Sequence, residues 1–153
     1  MQLSENGWKF LEQNEGTVLH PYLDSTGKPT IGIGSTFYPD GSPVTMSDPD
    51  ITMEQAQAIA SSAVANIFLG LSSVLPTSLN QNQIDSILDF CYNLGFGAFR
   101  GSTLFRLITA NHADPAIRAA FLMWDKEHVD GQLVFSQDLA DRRAREADLY
   151  FSS

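Results

Sequence analysis

Three residues near the start of the chain, Glu15, Asp24 and Thr30, could do chemistry together. Glycosidic bonds are cleaved by a carboxylic acid that protonates the leaving oxygen, working with a second carboxylate that attacks or activates a water. Glu15 closes a helical pattern, where the helix end carries partial negative charge and burial would add to the tendency to stay protonated. Asp24 falls on a turn after Tyr22-Leu23, where hydrogen bonding and solvent favour the ionised carboxylate. Two carboxyls in contrasting surroundings can divide the acid and base roles. Thr30 opens the next strand and could hold a water against Asp24. That arrangement predicts inversion at the anomeric carbon and needs the carboxyls roughly 6.5–9.5 Å apart. Taken singly, a helix-ending Glu, a turn Asp and a strand Thr each have an ordinary structural explanation.

The elements that must hold these side chains are legible in outline. Ser4 caps a first helix, with Leu3 placed to pack on Trp8, and Gly16 stops that helix just after Glu15. From Tyr22 the pattern becomes a hairpin whose loop carries Gly27. Its second strand, Thr30-Ile31-Gly32-Ile33-Gly34, is interrupted by glycine, which marks a close approach of backbone to something else. A third strand is possible over Ser35 to Tyr38, followed by a turn at Pro39 to Pro43. Thr52-Met53-Glu54-Gln55 has capping-box form, and apolar residues then recur at helical spacing to Pro76, giving a helix roughly 30 Å long. Beyond Pro76 the pattern reads as entirely helical, with caps at Asn80, Ser102 and Asp114 and a last helix over Leu139 to Tyr150. Asp125 to Asp138 reads as a mainly polar loop. The plan is therefore α+β, one domain over 1–153. A β-rich lobe (15–52) is joined by a connecting helix (53–76) to an all-helical lobe (77–153), on which helix 4–15 packs. A cleft between lobes is the natural binding site.

Composition narrows the possibilities. The net charge of −9, from 18 acids and 9 bases, argues against nucleic acid or an anionic membrane surface as partner. No apolar run approaches the roughly 18 residues of a membrane span, so a soluble protein without membrane insertion is expected. The opening residues lack the basic and apolar segments of a secretory signal, and the protein is expected to be made without one. The lone Cys91, in an apolar run, is expected to be a buried packing residue. His20, His112 and His128 are scattered, which makes a metal site improbable; His20 is expected on a loop, exposed or at the cleft rim. Arg142, Arg143 and Arg145 form a basic run, most simply a solvated helix face.

The string Glu-Gly-x5-Tyr-x-Asp-x2-Gly-x-x-Thr-Ile-Gly-x-Gly closely resembles the phage-type lysozymes of glycoside hydrolase family 24, the endolysin muramidases. Further matches cover both lobes: Ile51-Thr52 with Glu54-Gln55-Ala56, Tyr92-Asn93-Leu94-Gly95, Ser102-Thr103-Leu104, Phe121 with Trp124, and Arg142-Arg143 with Glu146. The resemblance implies a lysozyme-like fold, with Glu15, Asp24 and Thr30 as the catalytic set and no metal or cofactor. It implies inverting hydrolysis of the β-1,4 bond between N-acetylmuramic acid and N-acetylglucosamine in peptidoglycan glycan strands, by a monomer released through a holin-type lesion. Asn93, Ser102 and Thr103 become candidates for sugar contacts, although capping and turning the backbone explain Asn93 and Ser102 equally well. Arg142 or Arg143 could pair with Glu15 and pull its proton off, against the effect of the helix end. The chain departs from the family at Asp138, where Gly is usual, in a longer preceding loop, in an extended turn over Phe37 to Val44, and in its acidity. Two other classes are a wall-binding lysozyme-fold domain with little turnover, and a lytic transglycosylase; the latter has no use for Asp24 and Thr30 as water activators.

Overall fold

The structure, a computed structural model, describes residues 2–152. The first helix, α1 (Glu5–Glu15), is capped by Ser4, whose side chain accepts from the Gly7 amide, and is stopped by Gly16 at φ 68°. Its N-terminus is held to the rest of the protein by the buried Asp85, which accepts from the Ser4 amide and hydroxyl. Leu3, Leu11 and Trp8 pack with Val64 and Leu88, so the first turn is pinned by an apolar contact as well as by hydrogen bonds.

An antiparallel hairpin follows, β1 (Val18–Leu23) and β2 (Pro29–Gly32), with Tyr22 opposite Thr30. Ser35 to Tyr38 does not extend it into a third full strand. Only isolated bridges form there, Ile31 with Ser35 and Phe37 with Pro43, because Gly32 and Gly34 both take positive φ and turn the chain out of the sheet. The capping box at Thr52 starts α2 (Met53–Ser72), which ends a turn before the residue expected from Pro76. A side-chain carbon on Gly32 would lie 3.2 Å from the Ala56 Cβ, so the glycine lets β2 approach α2.

The C-terminal lobe contains α3 (Gln81–Leu94), α4 (Phe96–Arg100), α5 (Thr103–Ala110), α6 (Ala116–Leu122) and α7 (Gln137–Phe151). Gly95, at φ 91°, ends α3 and passes directly into the short α4. The core is built around Phe90 of α3, which meets Phe99, Phe121 and Trp124 edge-on at centroid separations of 6.0, 5.8 and 5.6 Å. Cys91 lies buried in this core, as its apolar setting predicts.

The lobe is not all-helical. Asp125 to Asp138, expected as a polar loop, contains a second antiparallel hairpin, β3 (Lys126–Val129) and β4 (Gln132–Phe135). Its turn is Asp130-Gly131, both at positive φ (49° and 79°), the two-residue loop whose twist matches that of paired strands. The hairpin stands at the surface with Leu133, Val134 and Phe135 exposed, and so lacks the buried alternation by which strands are usually recognised. The last helix accordingly begins at Gln137, capped by Ser136, and runs through Phe151.

Candidate active site

The two lobes enclose a cleft of about 990 Å³ lined by Glu15, Tyr22, Asp24, Thr30, Tyr92 and Asn93, among others, with Trp124 and β3 on the far side. Glu15 reaches it from the last turn of α1 and lies against the Gly-rich segment after β2. A Cβ on Gly34 would sit 2.8 Å from the Glu15 Cδ, which is the close approach that the glycine pattern signalled. Tyr92 of α3 fixes the same segment by donating to the Ile33 carbonyl at 2.6 Å. Burial pushes the Tyr92 hydroxyl up to about 12, so it remains a donor.

Behind Glu15, Arg142 and Arg143 of the basic run on α7 are buried rather than solvated, while Arg145 is exposed as expected. Arg142 Nη1 pairs with Glu15 Oε1 at 2.7 Å, while Arg142 Nε and Nη2 donate to the two oxygens of Asp89 at 2.9 and 3.1 Å. Arg143 does not reach Glu15. It donates to Glu146 at 2.6 Å and to Asn93 Oδ1 at 3.0 Å, and lies over the Phe90 ring at 4.9 Å from the centroid. Arg145 instead binds the Asn14 side chain. Three carboxyls and two guanidiniums are therefore packed beneath the cleft floor. Burial raises the Glu15 pKa above its ordinary 4.5; Arg142 pulls it back, and the charge of Asp89 adds to the rise. Burial outweighs the arginine, so the Glu15 carboxyl holds its proton above the ordinary carboxylate range.

Asp24 and Thr30 are tied together through one residue. Asp24 Oδ1 accepts from the Lys28 amide at 2.9 Å and from the Thr26 amide and hydroxyl at 2.9 and 2.7 Å. Thr30, almost fully buried, donates its hydroxyl to the Lys28 carbonyl at 3.0 Å. With Oδ1 engaged by three donors, Oδ2 is the atom Asp24 can offer to a ligand. With its proton given to Lys28, Thr30 offers a lone pair.

The remaining sequence candidates divide. Asn93, Ser102 and Thr103 all line the cleft. The Asn93 oxygen is held by Arg143, which leaves the amide nitrogen as the group available to a sugar. Ser102 is buried and occupied, donating to the Phe99 carbonyl at 2.6 Å and capping the Phe105 amide at 3.0 Å. Thr103 accepts from Arg106 at 2.9 Å. His20 is exposed on β1, not on a loop, and takes no part in the cleft lining. Sequence reasoning missed the contribution of β3: Lys126, Glu127 and His128 line the cleft, and Glu127 accepts from Ser25 at 2.7 Å, joining the two walls. The Asp130-Gly131 dipeptide was the signal that could have revealed it.

Residues 12–146 match the family model described as phage lysozyme, a span that holds Glu15, Asp24, Thr30 and Arg142. The chain belongs to the phage lysozyme family. It is thus a lysozyme-type glycoside hydrolase with an α+β, lysozyme-like fold. It is similar to the endolysin of Salmonella phage P22, with 37% identity over 152 residues covering 99% of both chains. Among solved structures it resembles the endolysin from Escherichia coli O157:H7 phage FAHEc1, with a TM-score of 0.89 and 34% identity over 99% of this chain and 94% of that one. The muramidase domain of SpmX from Asticaccaulis excentricus superposes with a TM-score of 0.79 at 26% identity, over 99% of each chain.

Proposed function

We propose that the protein is a muramidase that hydrolyses the β-1,4 bond between N-acetylmuramic acid and N-acetylglucosamine in peptidoglycan, with inversion. One observation carries the reading: a largely buried Glu15, its side chain 15% exposed and its carboxyl pKa raised, shares a cleft with an Asp24–Thr30 pair whose free atoms suit a water. Glu15 gives its proton to the glycosidic oxygen as the bond to the anomeric carbon breaks. A water donates one hydrogen to Asp24 Oδ2 and the other to the Thr30 oxygen, which turns its lone pair toward the anomeric carbon. Asp24 takes the proton as the water adds from the face opposite the leaving group, so the configuration inverts.

The relatives named endolysin support a role in wall lysis by a phage or prophage, and the SpmX domain is itself named a muramidase. Export through a holin-type lesion belongs to this reading. Among the described residues no helix is long and apolar enough to cross a membrane. Expression in a bacterial cytoplasm should leave cells intact until the inner membrane is permeabilised.

The deciding experiment is digestion of purified peptidoglycan with analysis of product ends. New reducing muramic acid ends, without anhydro-sugars and first formed as the α-anomer, are expected. Glu15→Gln should lower turnover by at least about 10²–10⁴-fold while leaving the fold intact. Binding without products would overturn the enzymatic mechanism, and a first-formed β-anomer would overturn inversion.

A further inference from the structure

Asp89 lies outside the cleft lining, yet it meets the group that holds Glu15. Its carboxylate accepts from Arg142 Nε and Nη2 and, at 3.1 Å, from Asn14 of α1, the residue next to Glu15. The side chains of Arg142 and Asp89 are 6% and 2% exposed, so this contact is shielded from solvent. Arg142 is thereby oriented edge-on to Asp89 and has only Nη1 for Glu15. A guanidinium free of Asp89 could close its two-pronged fork on Glu15 and hold it as a carboxylate.

Glu15, Asp89 and Glu146 face Arg142 and Arg143, so complete ionisation would leave one negative charge uncompensated in a nearly dry place. A proton on Glu146, whose carboxyl burial raises well above its ordinary value, relieves it; the negative charge of Asp89 then stands against Arg142 and adds to the rise of the Glu15 carboxyl. We propose that Asp89 is a positioning residue which, by engaging two N–H groups of Arg142 and opposing its positive charge, keeps a proton on Glu15. This rests on the assignment of Glu15 as the general acid. Other groups facing Glu15 are Arg143 and Glu146 behind Arg142 on α7, Tyr92 on α3, Tyr22 on β1, and Asp24 at the end of that hairpin. None of these takes both of the remaining donor edges of Arg142. The directions of titration agree, since Asp89 acts on Glu15 opposite to Arg142.

The test is Asp89→Asn, nearly isosteric and neutral, read in two ways. The Glu15 side-chain carboxyl is titrated by carbon NMR in wild type and variant, a measurement that needs no turnover. The pH profile of kcat is recorded on peptidoglycan. The Glu15 titration is expected to move to lower pH by about one unit, with the alkaline limb of kcat moving equally. Above that limb kcat falls about tenfold per unit of displacement, while KM is unchanged and the acid plateau returns to wild type. An unmoved Glu15 titration, or a kcat lowered by the same factor at every pH, would overturn the proposal and leave Asp89 a structural residue. If Asp89→Asn is recovered unfolded, Asp89→Ser removes the same charge, leaves room for a water and is judged by the same criteria. An inactive wild type in which Glu15 nevertheless titrates differently from the variant would count against the muramidase reading and not against Asp89.

Discussion

The Gly34 Cα faces the Glu15 carboxyl so closely that a methyl group placed on it would lie 2.8 Å from Cδ and 3.2 Å from Cγ of Glu15. Gly34 also holds φ 64°, a conformation that strains side-chain-bearing residues by roughly 1–2 kcal/mol. Gly34→Ala should therefore damage stability and catalysis together, the second by far the more. Moving a reacting group by about 1 Å can cost on the order of 10²-fold in rate. Gly41 gives the control, since it holds φ 85° and a methyl group placed there would meet no atom within 4 Å. Gly41→Ala should lower the melting temperature comparably and leave kcat near wild type. Equal kinetic losses in both variants would show that strain, not contact with Glu15, is what Gly34 relieves.

Asn93 and Ser102 carried the same two explanations in sequence, sugar contact or backbone cap, and the structure separates them. Ser102 has its hydroxyl committed in both directions within the turn before α5, whereas Asn93 has only its oxygen committed, to Arg143. Ser102→Ala should thus cost about 1 kcal/mol, or roughly 2–4 °C in melting temperature, with unchanged kinetics. Asn93→Ala should raise KM about tenfold at similar kcat, with a stability loss of about 1 kcal/mol from the shortened set of Arg143 partners. Melting curves with steady-state kinetics on soluble glycan fragments check both. A KM effect in Ser102→Ala would return it to the sugar-contact group.

Local signals carried much of this site in the sequence. Glu15 at a helix end, Asp24 on a turn and the glycines after Thr30 each follow from short-range rules, and each is found where those rules place it. What short-range patterns could not supply was the partner of Glu15. Arg142 and Arg143 are adjacent in sequence and alike in chemistry. Only the rotation of α7 against α3 decides that one meets Glu15 and Asp89, and the other Asn93 and Glu146. Their charge also suggested a solvated face, because the burial of Arg142 depends on acids brought from α1 and α3 across the fold. The β3–β4 hairpin was hidden for the opposite reason: its turn was legible, but its exposed strands have no buried face to produce an alternating pattern.

The raised pKa of Glu15 makes stability depend on pH in a direction that can be read in a variant. From the ordinary value of 4.5 up to the folded value, the unfolded chain releases the Glu15 proton while the folded chain retains it, so stability falls as pH rises through that window. Below 4.5 the contribution is fully present. Glu15→Gln has no proton to release and escapes this fall. The melting temperature of the variant minus that of wild type should therefore be constant at low pH. It should shift in the variant's favour as pH climbs, and level off once Glu15 is ionised in the folded wild type. Glu146, which burial also raises, is present in both proteins and largely cancels in the difference. Paired thermal melts from about pH 3.5 to 8 check this. A difference that shifts toward the wild type with rising pH would mean that Arg142 stabilises the Glu15 carboxylate more than burial opposes it, and that Glu15 would not retain its proton in the free enzyme.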